Sequence, residues 1–214
     1  MPDDTSLGTY FRRAKLCVDV NGYRPEYEYQ RSIIGKPWSE TDFLREYSWV
    51  VFSCGFREHV VRKWFSYISM VFFDFVSARK ILRHRKECVE LALSAINNAP
   101  KIDGIIETAI EIDRLGFEEF RANIYQDSTS YLKKLPYIGD ITCCHLLKNL
   151  GFNVSKNDRH LKRISTQFEF AEGTAFCEHI AELTGEPVAV VDIILWRYAV
   201  IASQASSDRA VDNQ

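Results

Sequence analysis

No pair of cysteines in this sequence has C-x-x-C spacing. The six present are Cys17, Cys54, Cys88, Cys143, Cys144 and Cys177, and no Cys/His group shows zinc-ligand spacing. A structural zinc site is therefore not expected, and the adjacent Cys143 and Cys144 are read as packing residues of a helix. Long apolar runs are also missing. VAVVDIILWRYAVIA, 15 residues, carries Asp192 and Arg197 and is too short and too charged to span a bilayer. The opening residues MPDDTSLGTY lack a basic-then-apolar leader, so a reduced, soluble, cytoplasmic protein is expected, nucleoid-associated if the source is prokaryotic. Charge of one sign does not dominate either. The formal net charge is −2, so any nucleic-acid surface must be a local patch.

Alternating strand patterns and internal repeats are absent, and helical periodicity fills the chain. The expected class is all-α, with about nine or ten helices. Ser39-Glu40-Thr41-Asp42 has the form of a capping box opening a helix to about Ser53, stopped by Gly55. Val60, Val61, Trp64, Phe65, Ile68 and Phe72 form one apolar stripe, and Ile105, Ile106, Ala109, Ile110 and Ile112 form another before Gly116. Further helices are expected over Glu178–Leu183 and Val188–Ala202, with Pro187 where a first-turn proline is tolerated. NGYRPEYEYQRSIIGKPW, from Asn21 to Trp38, reads as an ordered loop rich in Gly, Pro and aromatics. These boundaries give an N-terminal segment over 1–37, a helical domain over 38–203 and a disordered tail over 204–214.

Between Ser128 and Leu150 lies a helical hairpin. STSYLKKL can form a short helix, and Asp140 to Leu150 a second one that ends at Gly151 as a C′ glycine. Pro136 removes a donor and Gly139 permits close backbone approach, leaving amides at a helix start suited to a phosphate. Lys133 and Lys134 add positive charge beside it. The plainer alternative is a hairpin that only packs Leu135, Ile138 and Leu146 into a core.

LPYIGDITCCHLL followed by NDRHLKRIS resembles the helix-hairpin-helix plus Asp motif of the HhH-GPD superfamily of DNA glycosylases. Leu135, Pro136, Ile138, Gly139 and Thr142 match the hairpin, and Asp158, His160 and Arg163 match the second segment. REYSWVVFSCGFREHVVRKWF looks like the family's early helix and KIDGIIETAIEI like the helix before the hairpin. The resemblance covers about Trp38 to Ala202. It implies a two-lobed helical fold with a DNA cleft between the lobes, and duplex DNA carrying a modified or mispaired base as partner of a monomer. The hairpin and its surroundings would grip the DNA backbone through Lys134, Leu135, Tyr137, Ile138, Gly139, Ile141, Thr142, Arg159, Lys162 and Arg163. A monovalent cation at the hairpin carbonyls is the one metal the resemblance admits. Tyr137 replaces the first glycine of the family pattern, and Ile141 stands where bifunctional members carry a nucleophilic lysine. No Schiff base can form there, so the implied enzyme is monofunctional and uses water, without a lyase step. The cysteines that hold an iron–sulfur cluster in some members are missing, and no cofactor is expected.

Breaking an N-glycosidic bond develops positive charge on the sugar, which a nearby carboxylate stabilises while it directs water. Asp158 is the candidate, though an Asp at a helix start also serves as an N-cap. A flipped base needs an aromatic-lined pocket. Candidates are Tyr47, Trp49 and Phe52, the loop residues Tyr23, Tyr27 and Tyr29, and the polar Glu46 and His145, each with a packing alternative. For Glu46 that alternative is an exposed helical acid. Lys156 joins Arg159, Lys162 and Arg163 as a phosphate contact. The run Arg79, Lys80, Arg83, His84, Arg85 and Lys86 is either a solvated face or a DNA grip. Asp192 is expected to be paired, with Arg197 or a helix start. Two other readings stay open: a non-catalytic helix-hairpin-helix DNA-binding or assembly module, and an all-α interaction protein without DNA affinity.

Overall fold

The structure is a computed structural model that describes residues 3–211, with side chains through residue 204. Thirteen α-helices follow one another in the described residues, without a strand. They are α1 Asp4–Val20, α2 Arg24–Ile33, α3 Glu40–Ser53, α4 Glu58–Val71, α5 Ala78–Arg83, α6 Arg85–Ala95 and α7 Ala99–Leu115. They continue with α8 Phe117–Gln126, α9 Ser128–Leu132, α10 Asp140–Asn149, α11 Arg159–Gln167, α12 Gly173–Thr184 and α13 Val188–Val211. No helix among the described residues is long and apolar enough to cross a membrane.

Several ends follow the local code. The Ser39 hydroxyl accepts from the Asp42 amide at 3.2 Å and Asp42 Oδ2 accepts from the Ser39 amide at 2.9 Å, a complete capping box at the start of α3. Gly151, at φ +86°, follows α10, and a Cβ there would lie 2.3 Å from the Ile33 carbonyl oxygen. Only glycine satisfies both the left-handed turn and that approach.

The chain divides into two compact units. One joins the residues up to Lys36 with those from Gly151 onward; the other is Pro37–Leu150. In the first unit, Leu7, Phe11, Ala14 and Val18 line one side of α1 at helical spacing and are buried with Phe176 and Ile180 of α12 and Val190, Val191, Ile194 and Leu195 of α13. In the second, Phe43, Leu44, Tyr47, Val50 and Val51 of α3 are buried, as are Ile102, Ile105, Ile106, Ala109 and Ile112 of α7. Each large side chain withdrawn from water in this way contributes about 1.5–3 kcal/mol.

Four sequence expectations need correction. Residues 21–38 are not one loop, since α2 occupies Arg24–Ile33 within them: Pro25 sits in the first turn of α2, where its missing N–H costs nothing, and Tyr27 and Gln30 are buried. The N-terminal segment is helical and clusters with residues 151 onward, instead of standing apart from a 38–203 domain. Ile110 leaves the apolar stripe of α7 and is exposed. Helix α13 runs to Val211, into the 204–214 segment expected as a disordered tail, because neither Gly nor Pro interrupts it after Pro187. Residues 212–214 of that segment lie outside the described residues.

Between α4 and α5 the backbone takes a turn that the residue types do not signal. Phe73, Asp74 and Phe75 have φ of +54°, +52° and +58°, a left-handed turn of three non-glycine residues. Each such residue costs on the order of 1–2 kcal/mol. Burial of Phe75, its stacking on Phe72 at 5.8 Å and the bond from the Ser69 hydroxyl to Asp74 at 3.0 Å hold it.

Candidate functional site

The hairpin belongs to the second unit. Leu135 and Ile138 are buried, so these two can meet a ligand only through their backbone. The amide of Ile138 donates to the Leu135 carbonyl at 3.2 Å, and that of Gly139 to the Thr142 hydroxyl at 2.7 Å. The same hydroxyl donates to the Tyr137 carbonyl at 3.0 Å. The turn therefore consumes two of the amides expected to face a phosphate. The amides of Asp140, Ile141 and Thr142, at the start of α10, have no partner among the described residues. They form the positive end of a ten-residue helix. A Cβ built on Gly139 would meet nothing within 4 Å, so the space before this helix start is open.

The flanking charges are less one-sided than the sequence suggests. Lys133 pairs with the exposed Asp140 and so offsets a carboxylate at the helix start. Lys134 is exposed, its ammonium 5.6 Å from the centre of the Tyr131 ring. Ile141 is 48% exposed on the first turn, an apolar side chain in the position that the resemblance reserves for lysine in bifunctional enzymes. Of the hairpin carbonyls, those of Leu135, Pro136, Tyr137 and Gly139 each accept a bond, from Ile138, Tyr47, Thr142 and Cys143 respectively. Among the described residues no group of three or more His, Cys, Asp or Glu side chains could hold a metal ion.

Tyr137 adopts φ +64°, a conformation open to glycine at no steric cost. Its ring lies against α7, where Gly104 permits the approach: a Cβ at Gly104 would sit 3.0 Å from Pro136 Cβ and 3.2 Å from the Tyr137 ring. The substitutions Tyr137→Gly and Tyr137→Ala remove the same ring contacts, and comparing them isolates the backbone strain. Tyr137→Gly is expected to be about 1 kcal/mol more stable than Tyr137→Ala in urea unfolding, and equal stabilities would remove the strained-turn account.

Around this turn the base-pocket candidates divide. Tyr47 and Phe52 are fully buried; the Tyr47 hydroxyl donates to the Pro136 carbonyl at 2.9 Å, with the Gly104 carbonyl at 3.2 Å. Tyr47 is therefore a brace for the hairpin tip rather than a wall of an open pocket. Trp49 is half-buried, edge-on to Phe65 at 5.0 Å, and His145 is half-buried. Glu46 is not an exposed acid. It is largely buried and accepts a 2.8 Å bond from Asn149 Nδ2, and burial pushes its carboxyl up to about 7 despite that bond.

Asp158 belongs to the first unit, and its side chain is 14% exposed. It is the N-cap of α11: Oδ1 accepts from the amides of His160 at 2.9 Å and Leu161 at 3.1 Å. Lys156 Nζ lies 3.3 Å from Oδ2. That lysine is not a surface phosphate contact, as its residue type and neighbours suggest. It is buried, with its ammonium 4.8 Å from the centre of the Trp196 ring. Arg159, Lys162 and Arg163 on α11 are exposed, as expected. His160 is half-buried, and desolvation holds its imidazole below the usual value against the pull of Asp158.

The segment leading to Asp158 is pinned residue by residue. Asn153 Oδ1 accepts from the Ala189 amide at 3.1 Å, capping α13, and Asn157 Oδ1 accepts from the Gly173 amide at 2.9 Å, capping α12. The Lys156 amide donates to Oδ2 of the fully buried Asp192 at 2.8 Å. Asp192 is thus satisfied by an amide of this segment, while Arg197 forks onto Glu26 with two 2.8 Å bonds and lies 4.3 Å from the Tyr23 ring centre. Of the loop aromatics, Tyr27 is buried, Tyr23 packs under Arg197 and Tyr29 is exposed. Lys156, Trp196 and the two capping asparagines are what sequence reasoning missed in their true roles. Asn and Asp are the residue types that cap helices, but two of the helices they cap start far along the chain.

In the basic run, Arg79 pairs with Asp113 at 3.2 Å and His84 lies 3.5 Å from Glu87, whereas Arg83 and Arg85 are exposed. Searches of protein-family models, curated proteins and solved structures return no match to this chain.

Proposed function

We propose that this protein is a monofunctional DNA glycosylase of the helix-hairpin-helix, HhH-GPD type, acting on a flipped-out modified or mismatched base in duplex DNA. The observation that carries the reading is the setting of Asp158. It is a partly accessible carboxylate with both oxygens anchored, on a segment clamped at three points, placed after a hairpin at the spacing of the family motif. Such a fixed carboxylate stabilises a sugar cation without reorganising as the charge develops. The C1′–N bond breaks, a water oxygen bonds to C1′, and the water proton passes to Asp158 or to solvent while the base leaves with the electron pair. The open start of α10 holds a backbone phosphate, with Lys134 beside it, and α11 offers Arg159, Lys162 and Arg163. Ile141 supports hydrolysis without strand cleavage, since it has no amine to attack the sugar.

The test is mass spectrometry of bases released from duplexes carrying deaminated, alkylated, oxidised and hypermodified bases. The expected product is one free base and an abasic site that nicks only after alkali. A second reading, a non-catalytic helix-hairpin-helix binding module, is favoured by one observation: capping and the Lys156 pair already account for both oxygens of Asp158. Inactivity across the whole panel, with salt-sensitive DNA binding retained, would favour it.

A further inference from the structure

Lys101, on the first turns of α7, is 6% exposed, and no carboxylate lies within ion-pair distance of it among the described residues. Its ammonium donates to the carbonyls of Val51 at 2.6 Å, Phe52 at 3.3 Å and Cys54. Those carbonyls end α3, where the helix dipole is negative and backbone acceptors lack intrahelical donors. Three donors meet three acceptors, and the rings of Phe56 at 4.7 Å and Tyr137 at 5.8 Å complete the enclosure. A lone buried charge is expensive, so a fold retains one where the cation does something an apolar side chain cannot. Here it fastens the end of α3 to α7. One turn further along α7 is Gly104, against which Pro136 and Tyr137 rest, and the Tyr47 hydroxyl of α3 bonds the Pro136 carbonyl. The strained tip of the hairpin is thus gripped from two helices whose separation Lys101 sets.

We propose that Lys101 is a positioning residue for the hairpin: it locks α3 to α7 so that Tyr47 and Gly104 hold Pro136–Tyr137 in the turn that presents the start of α10 to a DNA phosphate. The link to DNA rests on the glycosylase reading; the locking of the turn does not. Lys101→Met keeps the length of the side chain and removes the three donors. Lys101→Gln, which keeps an N–H donor, is the milder variant should the methionine protein not fold. Val61→Ala, a buried truncation on α4, serves as the control for general loss of stability.

Two measurements are read on the intact chain: hydrogen exchange of the hydrogen-bonded turn amides of Ile138, Gly139 and Cys143 without DNA, and binding of a duplex with an abasic-site analogue alongside single-turnover base release at saturating DNA. The lysine variant is expected to exchange these amides about tenfold faster, relative to the other buried amides of its unit, and to bind the duplex about tenfold more weakly. Base release at saturation should stay within about threefold of the parent, since the bound geometry of Asp158 is untouched. The control should change neither ratio. Unchanged exchange in the lysine variant, or the same exchange pattern in Val61→Ala, overturns the proposal. If the parent protein binds no DNA, the glycosylase reading fails, and the exchange data still decide whether Lys101 locks the turn.

Discussion

Asp158→Asn is expected to bind duplex DNA with near-parent affinity and to release base about a thousandfold more slowly. The substitution suits the question because asparagine caps a helix as well as aspartate does. Its side-chain oxygen can still accept the amides of His160 and Leu161, so α11 keeps its start. Only the negative charge goes, and with it the stabilisation of the sugar cation. A cost in stability accompanies this, because Lys156 loses the carboxylate 3.3 Å from its ammonium in a largely buried setting. About 1–3 kcal/mol is expected, below the full penalty for stripping a deeply buried pair. Lys156→Met separates the two effects. It removes the pair from the other side and leaves the carboxylate, so base release should survive in it to within about tenfold. Turnover in Asp158→Asn equal to that of the parent would end the catalytic assignment and leave Asp158 as a cap.

Glu46→Gln is expected to be more stable than the parent above neutral pH. Burial raises the Glu46 carboxyl from 4.5 to about 7 in the folded chain. Folding therefore favours the protonated form: the resulting stabilisation is complete below about pH 4.5 and is lost as pH rises through about 7. At pH 8 to 9 the parent must ionise a largely buried acid, at a cost of about 3 kcal/mol from a shift of this size. Glutamine stays neutral throughout and its carbonyl can still accept from Asn149. Urea unfolding of both proteins between about pH 4 and 9 should show stabilities that converge toward the acid end, separate as pH rises from about 4.5, and keep a constant gap above about 7. Parallel curves would mean that Glu46 reaches water more freely than its burial indicates. Because Glu46 is also a base-pocket candidate, the same variant reports whether its proton matters to base release. A pH profile that flattens near 7 in Glu46→Gln alone is the outcome expected of a pocket acid.

Local chemistry was legible in the sequence, and long-range partnership was not. The capping box at Ser39, the C′ glycine at 151 and the cap at Asp158 depend on neighbours within a few residues, and each stands as the residue types indicate. The hairpin turn was readable for the same reason. The α2 helix was hidden because Gly22 and Pro25, which look like loop punctuation, sit before it and in its first turn. Lys156 shows the opposite limit. A lysine among Arg159, Lys162 and Arg163 has the look of a surface cation, yet Trp196 and Asp192 arrive from a helix more than thirty residues on and bury it.

By itself, the sequence determines an all-helical chain, with a tight turn and a helix start at 135–142 and a capping carboxylate at 158. These rest on backbone preferences and side-chain-to-backbone bonds within one turn. Tertiary structure decides what those pieces are worth chemically. It brings three carbonyls from the end of α3 onto Lys101, closes Asn149 on Glu46 and sets Lys156 against Asp158. Burial and electrostatics depend on which distant residues exclude water from a group. No window of neighbouring residues carries that information.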